Sequence, residues 1–105
     1  MAKGLTWTVD DADHKTQAEI YGEVLNQLGA QNEKIIALTA DLAGSTKIGR
    51  FQKDFPDRFI NLGVAEMNMM GMASGLASVG FTPVVSTFAV FASLRCAEFV
   101  RTDIC

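Results

Sequence analysis

The sequence predicts an α/β domain in which helices flank a parallel sheet. Three short apolar runs, at 34–39, 58–62 and 81–88, alternate with segments whose apolar residues recur at helical spacing. The first run is continuously apolar rather than alternating, which is typical of a strand buried on both faces of a parallel sheet. Because the connections are short, we expect the order α-β-α-β-α-β-α with crossover helices. Three strands make a thin sheet and the chain stops inside the last predicted helix, so we expect part of a larger fold.

The chain is predicted to have two segments. Residues 1–15 show little pattern and are expected to form an N-terminal arm, whereas residues 16–105 form the partial domain. The first helix is predicted to begin near Thr16 and to end at Gly29. Its apolar face is expected to consist of Tyr21, Val24, Leu25 and Leu28.

The later helices have boundary residues or apolar faces of their own. Ser45 is a suitable N-cap for a short helix at 46–54, and Gly80 ends a long helix at 65–79. The long helix is apolar on nearly all sides, so we expect it to be buried. The last helix is predicted to begin near Phe91, with an inner face of Ala97, Val100 and Ile104.

Composition and charge argue against several classes of protein. The chain has 105 residues, of which 49% are hydrophobic, enough for one compact domain. The formal net charge is −3 and there is no basic stripe, which argues against binding to nucleic acid. His14 is the single histidine, so no Ser-His-Asp arrangement is available.

The lack of a recognisable secretory signal and the cysteine usage favour a cytoplasmic protein. The N-terminus lacks the apolar core of a secretory signal, and no apolar run approaches the roughly 20 residues that span a bilayer. Cys96 and Cys105 form neither a disulfide framework nor a metal-ligand cluster, so we interpret both as reduced thiols.

The candidate site lies where the predicted strands end. In open α/β sheets, ligands gather at the carboxyl ends of the strands, which here lead into Asp41, Glu66 and Phe88. Glu66 falls in the first turn of the long apolar helix, where an acidic residue is also favoured by the helix dipole alone. Phe88 and Phe91 follow the third strand; they are either core residues or the wall of a pocket for a flat ring.

Several motifs resemble the pyrimidine-binding domain of transketolases, in particular the C-terminal subunit of split bacterial transketolases. The most specific are Gly63-Val64-Ala65-Glu66 and Ser86-Thr87-Phe88-Ala89-Val90-Phe91. Further matching segments, in the same order as in the family, are 40–42, 45–47, 55–62, 68–71 and 74–77. The resemblance covers the chain from about residue 16 to its end.

The resemblance implies a thiamine diphosphate enzyme that transfers two-carbon ketol units between sugar phosphates, as in the pentose phosphate pathway. Glu66 matches the glutamate that hydrogen-bonds the aminopyrimidine ring, a proton exchange that a dry, apolar site favours. Phe88 and Phe91 match aromatics that pack on the ring, and Asp41 matches an acidic residue near the cofactor. The carbanion chemistry belongs to the cofactor.

The resemblance also implies a partner. In this family the diphosphate and Mg²⁺ are bound by a separate domain through a Gly-Asp-Gly motif and a downstream Asn, and neither is found in this sequence. We therefore expect a diphosphate-binding N-terminal subunit as partner, in an oligomer, and no turnover by this chain alone.

Three alternatives remain open at this stage. The 55–59 segment and the Ala65-Glu66 block also suit 1-deoxyxylulose-5-phosphate synthase, and a 2-oxoacid dehydrogenase β-type subunit belongs to the same superfamily. A non-catalytic association module is the third alternative. It is favoured by Met67, where members of the resembled family usually carry Gln.

Overall fold

The computed structural model describes residues 16–105, which form a parallel three-stranded sheet with helices packed on both faces. This confirms the predicted fold class. The arm predicted for residues 1–15 lies outside the described residues. The elements are α1 (Gln17–Gln31), β1 (Ile35–Thr39), α2 (Gly49–Asp54), a 3₁₀ turn (Pro56–Arg58), β2 (Phe59–Asn61), α3 (Glu66–Ser78), β3 (Thr82–Ser86), and α4 (Ala97–Phe99) between two π-helical turns (Phe91–Arg95 and Val100–Ile104).

The central position of β1 in the sheet explains why its apolar residues do not alternate with polar ones. The strand order is β2-β1-β3 with both pairs parallel, so β1 is covered along both edges as well as on both faces. Ile35 and Ala37 face a core formed with α1 and α2, whereas Ile36 and Leu38 face Met69 of α3. All five residues of β1 are buried. A strand in this position needs apolar side chains on both faces.

Helix α1 packs through a different face from the one predicted. Thr16 and Glu19 form a capping box: the Thr16 Oγ1 accepts from the Glu19 N–H at 3.2 Å, and the Glu19 Oε2 accepts from the Thr16 N–H at 2.9 Å. The buried residues are Gly22, Leu25 and Gly29, so Leu25 alone confirms the predicted face. The other three members, Tyr21, Val24 and Leu28, are 39–46% exposed.

Gly22 and Gly29 cause the difference between the predicted and the observed packing face of α1. Gly29 does not end α1 but lies within it, and a Cβ there would come within 2.5 Å of the Phe51 ring. Glycine therefore allows α1 to approach α2 closely, which a larger side chain would prevent. The C-terminus of α1 is held by Arg58, whose guanidinium donates to the carbonyls of Gly29 at 2.8 Å and Asn32 at 2.9 Å.

Helix α2 is shorter than predicted. Ser45 does not cap it, since the residue at the N-cap is Ile48 and no side-chain hydrogen bond is made there. Lys47 has φ of 63°, a left-handed conformation that no right-handed helix can include, so the helix begins only at Gly49. Ile48 at the N-cap and Phe51 within the helix are fully buried.

Helix α3 is half-buried rather than buried all round. Glu66, Met69, Met70 and Ala73 are buried, whereas Met67 is 50% exposed.

The inner face predicted for the last helix is wrong, because Ala97 and Ile104 are exposed and Cys96 is fully buried. The π-helical turns bond from i to i+5 and so displace the inward-facing positions from regular α-helical spacing. No helix in the described part of the chain is long and apolar enough to cross a membrane.

Candidate functional site

The predicted site residues lie on three segments that leave the same edge of the sheet. Because all strands are parallel, the chain leaves β1 at Asp41, β2 at Gly63 and β3 at Phe88 on one side of the molecule. Glu66 opens α3 directly after the Gly63 turn, and Phe91 opens the first π-helical turn.

Asn61 connects two of these segments, a role that sequence reasoning did not assign to it. Its Oδ1 accepts from the backbone N–H groups of Asp41 and Gly63, both at 2.9 Å. Its Nδ2 donates to the Asp41 Oδ1 over a longer 3.4 Å. Both residues that it holds have positive φ, 64° at Asp41 and 75° at Gly63. The Asp41 side chain is thereby fixed at the exposed rim of the edge.

Glu66 is the buried acid of the edge. It is only 5% exposed, and Ala65 at the N-cap offers no side-chain hydrogen bond to the helix terminus. Arg95 donates from Nη1 to the Glu66 Oε1 at 3.0 Å. The side chain of Arg95 is 53% exposed, so the ion pair joins a buried carboxylate to a cation that reaches solvent.

Phe91 provides a flat face beside this carboxylate. The guanidinium carbon of Arg95 lies 4.3 Å from the centroid of the Phe91 ring. Phe88 lies next to it, with ring centroids 5.8 Å apart and an angle of 31° between the planes. The two predicted aromatics are therefore brought together, and Arg95 lies between one of them and Glu66.

Arg95 was missed by sequence reasoning, although two signals pointed to it. It follows Phe91 by four residues, a spacing that places side chains on one side of a helical segment. A cation is also the expected partner for a carboxylate that is buried at an apolar site. What the sequence could not supply was that the two segments, 29 residues apart in the chain, meet at this point.

A set of hydrogen bonds around Thr39 and Ser86 stabilises the strand ends that carry the site. Thr39, at the end of β1, donates from Oγ1 to the Ser86 carbonyl at 3.0 Å and accepts from the Leu42 N–H at 3.2 Å. The Ser86 hydroxyl in turn hydrogen-bonds the Tyr21 hydroxyl of α1. Thr39 and Ser86 are both buried, so these bonds fix the end of β3 just before Phe88.

Cys96, which follows Arg95 in the chain, is fully buried. Burial raises the pKa of its thiol above the ordinary value, and the negative charge of Glu66 raises it further, while Arg95 opposes both. The thiol is therefore held in its neutral form. Within residues 16–105, no group of three or more His, Cys, Asp or Glu side chains is placed to hold a metal ion.

The chain is a parallel α/β domain with a buried carboxylate and an aromatic pair at the carboxyl edge of its sheet, the edge at which open α/β sheets bind ligands. The family model described as "Transketolase, pyrimidine binding domain" matches residues 14–105. The chain belongs to this transketolase family.

Two relatives and one solved structure show how the similarity is distributed. A Methanocaldococcus jannaschii protein described as a transketolase C-terminal section is 49% identical over 88 residues, 84% of this chain and 28% of that protein. The 1-deoxy-D-xylulose-5-phosphate synthase 1 of Geobacter sulfurreducens is 41% identical over 86 residues, 82% of this chain and 13% of the synthase. A split-gene transketolase, solved as an inactive β4 tetramer, superposes with a TM-score of 0.74 at 54% identity, covering 83% of this chain and 29% of that one. The chain thus spans less than a third of each of these proteins.

Proposed function

We propose that this chain supplies the pyrimidine-binding half of a thiamine diphosphate site in a transketolase that transfers two-carbon ketol units between sugar phosphates. The observation that carries the proposal is the burial of the Glu66 carboxylate beside the flat face of Phe91. An aminopyrimidine ring needs both features, a carboxyl for a ring nitrogen and an apolar face for the ring plane. Membership of the pyrimidine-binding family supports the same reading.

Glu66 is proposed as the catalytic acid–base group. When bound, the cofactor supplies the nucleophilic carbon that attacks the ketose. Glu66 exchanges a proton with the ring nitrogen that it contacts. Its 5% exposure keeps water from competing for that proton, and its place in the first turn of α3 fixes its position relative to the sheet edge.

Phe88 and Phe91 are proposed to hold the ring plane. Their centroids lie 5.8 Å apart, so together they present a continuous apolar surface at the site. Asp41 lies on the neighbouring loop at the rim, where Asn61 holds it, and we assign it a role in cofactor binding at the edge of the ring site.

The remainder of the site is proposed to come from a partner in the cytoplasm. The ring has candidate contacts in residues 16–105, whereas no metal-binding group is formed among them. We therefore assign the diphosphate and Mg²⁺ to a transketolase N-terminal subunit that carries Gly-Asp-Gly. The split-gene transketolase with a similar structure supports an arrangement in which the activity is divided between chains.

A second candidate function is 1-deoxyxylulose-5-phosphate synthesis. It is favoured by the Geobacter sulfurreducens synthase, which is 41% identical over 86 residues. The two functions are distinguished by the preference of a reconstituted complex for its aldehyde acceptor. A non-catalytic association module would instead leave every reconstituted activity unchanged by Glu66→Gln.

The proposal is tested by co-purifying the chain with its natural partners and measuring bound thiamine diphosphate in the same preparation. We expect a partner subunit carrying Gly-Asp-Gly, with the cofactor retained in the complex. A chain recovered in complex with such a partner but unable to retain added cofactor would contradict the proposal.

A further inference from the structure

Arg95 contacts the same two groups that the proposed function assigns to the pyrimidine ring. Its Nη1 lies 3.0 Å from the Glu66 Oε1, and its guanidinium carbon lies 4.3 Å from the centre of the Phe91 ring. The guanidinium therefore fills the space between the carboxylate and the aromatic face. Any flat ring that contacts both groups must use that space.

The guanidinium matches the chemistry of an aminopyrimidine edge. It is planar, directs N–H donors at a carboxylate and lies against aromatic faces. An aminopyrimidine likewise offers a flat face and a nitrogen in its plane. Two planar groups cannot lie on one face of Phe91 at the same time, so the arginine and the ring exclude each other.

We propose that Arg95 is a displaceable occupant of the ring pocket, which closes the site in the cofactor-free chain and leaves when the pyrimidine ring enters. The proposal rests on the proposed function, since it takes the pyrimidine ring as the ligand. Arg95 thus controls access to Glu66 and lowers the apparent affinity for the ring by the fraction of molecules in which the pocket is closed.

The burial pattern makes the exchange reversible and keeps Glu66 paired. The side chain of Arg95 is 53% exposed, so the released guanidinium moves into water at little cost. Glu66 is only 5% exposed, and a buried carboxylate left without a partner is strongly disfavoured. The cation therefore stays until another donor reaches Glu66, which couples opening of the pocket to arrival of the ring.

The proposal is tested by NMR on the 105-residue chain, with thiamine as the probe. The ring current of Phe91 should move the Arg95 Nε–H signal away from that of Arg101, an exposed arginine of the second π-helical turn. Saturation with thiamine should return the Arg95 signal to the position of an exposed arginine. Arg95→Leu should bind thiamine about tenfold more tightly than the wild type, because an ion pair and a cation–π contact no longer compete.

Control variants separate this effect from general changes in charge. Arg101→Leu removes an equal charge and should leave thiamine affinity unchanged. Arg95→Lys keeps the charge without the planar group and should give an intermediate affinity, which keeps the test available if Arg95→Leu fails to fold. Glu66→Gln should weaken thiamine binding both in the wild type and in each of the Arg95 and Arg101 variants.

Two kinds of failure are distinguishable. If thiamine binds but the Arg95 signal stays shifted at saturation, or if Arg95→Leu binds no more tightly than the wild type, the displacement is refuted and the proposed function stands. If neither the wild type nor the Arg95 variants bind thiamine, both the displacement and the proposed ring site are refuted.

Discussion

Asn61→Ala should loosen the rim of the site and destabilise the domain measurably. The substitution removes the acceptor of two backbone hydrogen bonds of 2.9 Å, from Asp41 and Gly63, and a third contact of 3.4 Å. Both backbone groups belong to residues with positive φ, a conformation that is open to Gly63 but disfavoured at Asp41 unless neighbouring contacts hold it. The loops after β1 and β2 therefore lose the side chain that joins them.

The expected loss is about 1–2 kcal/mol in the free energy of unfolding. A typical intramolecular hydrogen bond contributes a net 0.5–1.5 kcal/mol or so, and the long third contact adds little. Because Asn61 is exposed, water can solvate the freed N–H groups, which keeps the loss near the lower end for each bond. For a domain of this size the melting temperature should fall by about 5–15 °C.

Urea unfolding followed by circular dichroism measures this loss, provided that the slope of free energy against urea is unchanged. Asn32→Ala is the matched control, because the Asn32 Oδ1 accepts a single backbone bond of 2.9 Å from Lys34. The control should lose about half as much stability as Asn61→Ala. Equal losses for the two variants would refute the idea that Asn61 joins the two loops.

Three further results follow from the packing. Gly63→Ala should cost about 1 kcal/mol because φ is 75° there, whereas Gly44→Ala, which has open space and no positive φ, should be neutral in the same urea assay. Gly22→Ala should destabilise α1, because the added Cβ would meet a backbone carbonyl of the loop before α2. Gly75→Ala, on the open side of α3, should instead stabilise the domain by about 0.5–1 kcal/mol. A change in stability of the same sign for both variants would contradict the packing described. The pKa of the Cys96 thiol is raised in the folded state, so the folded protein disfavours the thiolate. The stability difference between wild type and Cys96→Ala should therefore be constant below about pH 8.5 and should shrink as the pH rises further. A difference that stays unchanged up to about pH 10 would contradict the raised pKa.

The fold class was predictable because it depends on local pattern. A short apolar run without alternation, bounded by polar and turn residues, is typical of a central parallel strand, and β1 is buried along its whole length. The position of Glu66 at the start of a helix was likewise readable from the chain, since Gly63 and the long apolar segment mark the boundary. The roles assigned to Glu66, Phe88, Phe91 and Asp41 stay predictions until a ligand is measured.

What the sequence could not supply depends on contacts between distant segments. The packing face of α1 is set by Gly22 and Gly29, whose small size is useful only because α2 and the loop before it come close. Helical periodicity instead favoured Tyr21 and Leu28, which are 39% and 46% exposed. The pairing of Arg95 with Glu66 has the same origin, because it exists only once the last helical segment has packed against α3.

The proton exchange proposed for Glu66 at a thiamine diphosphate site can be measured in the complex with the diphosphate-binding partner. Wild type and Glu66→Gln are compared there with a ketose phosphate donor and an aldose phosphate acceptor. Glu98→Gln, at an exposed glutamate, is the control. We expect Glu66→Gln to lower kcat by roughly 10²- to 10⁴-fold while partner affinity and Glu98→Gln activity stay at the wild-type level. A Glu66→Gln complex that keeps activity close to that of the wild type would contradict the catalytic role proposed for Glu66.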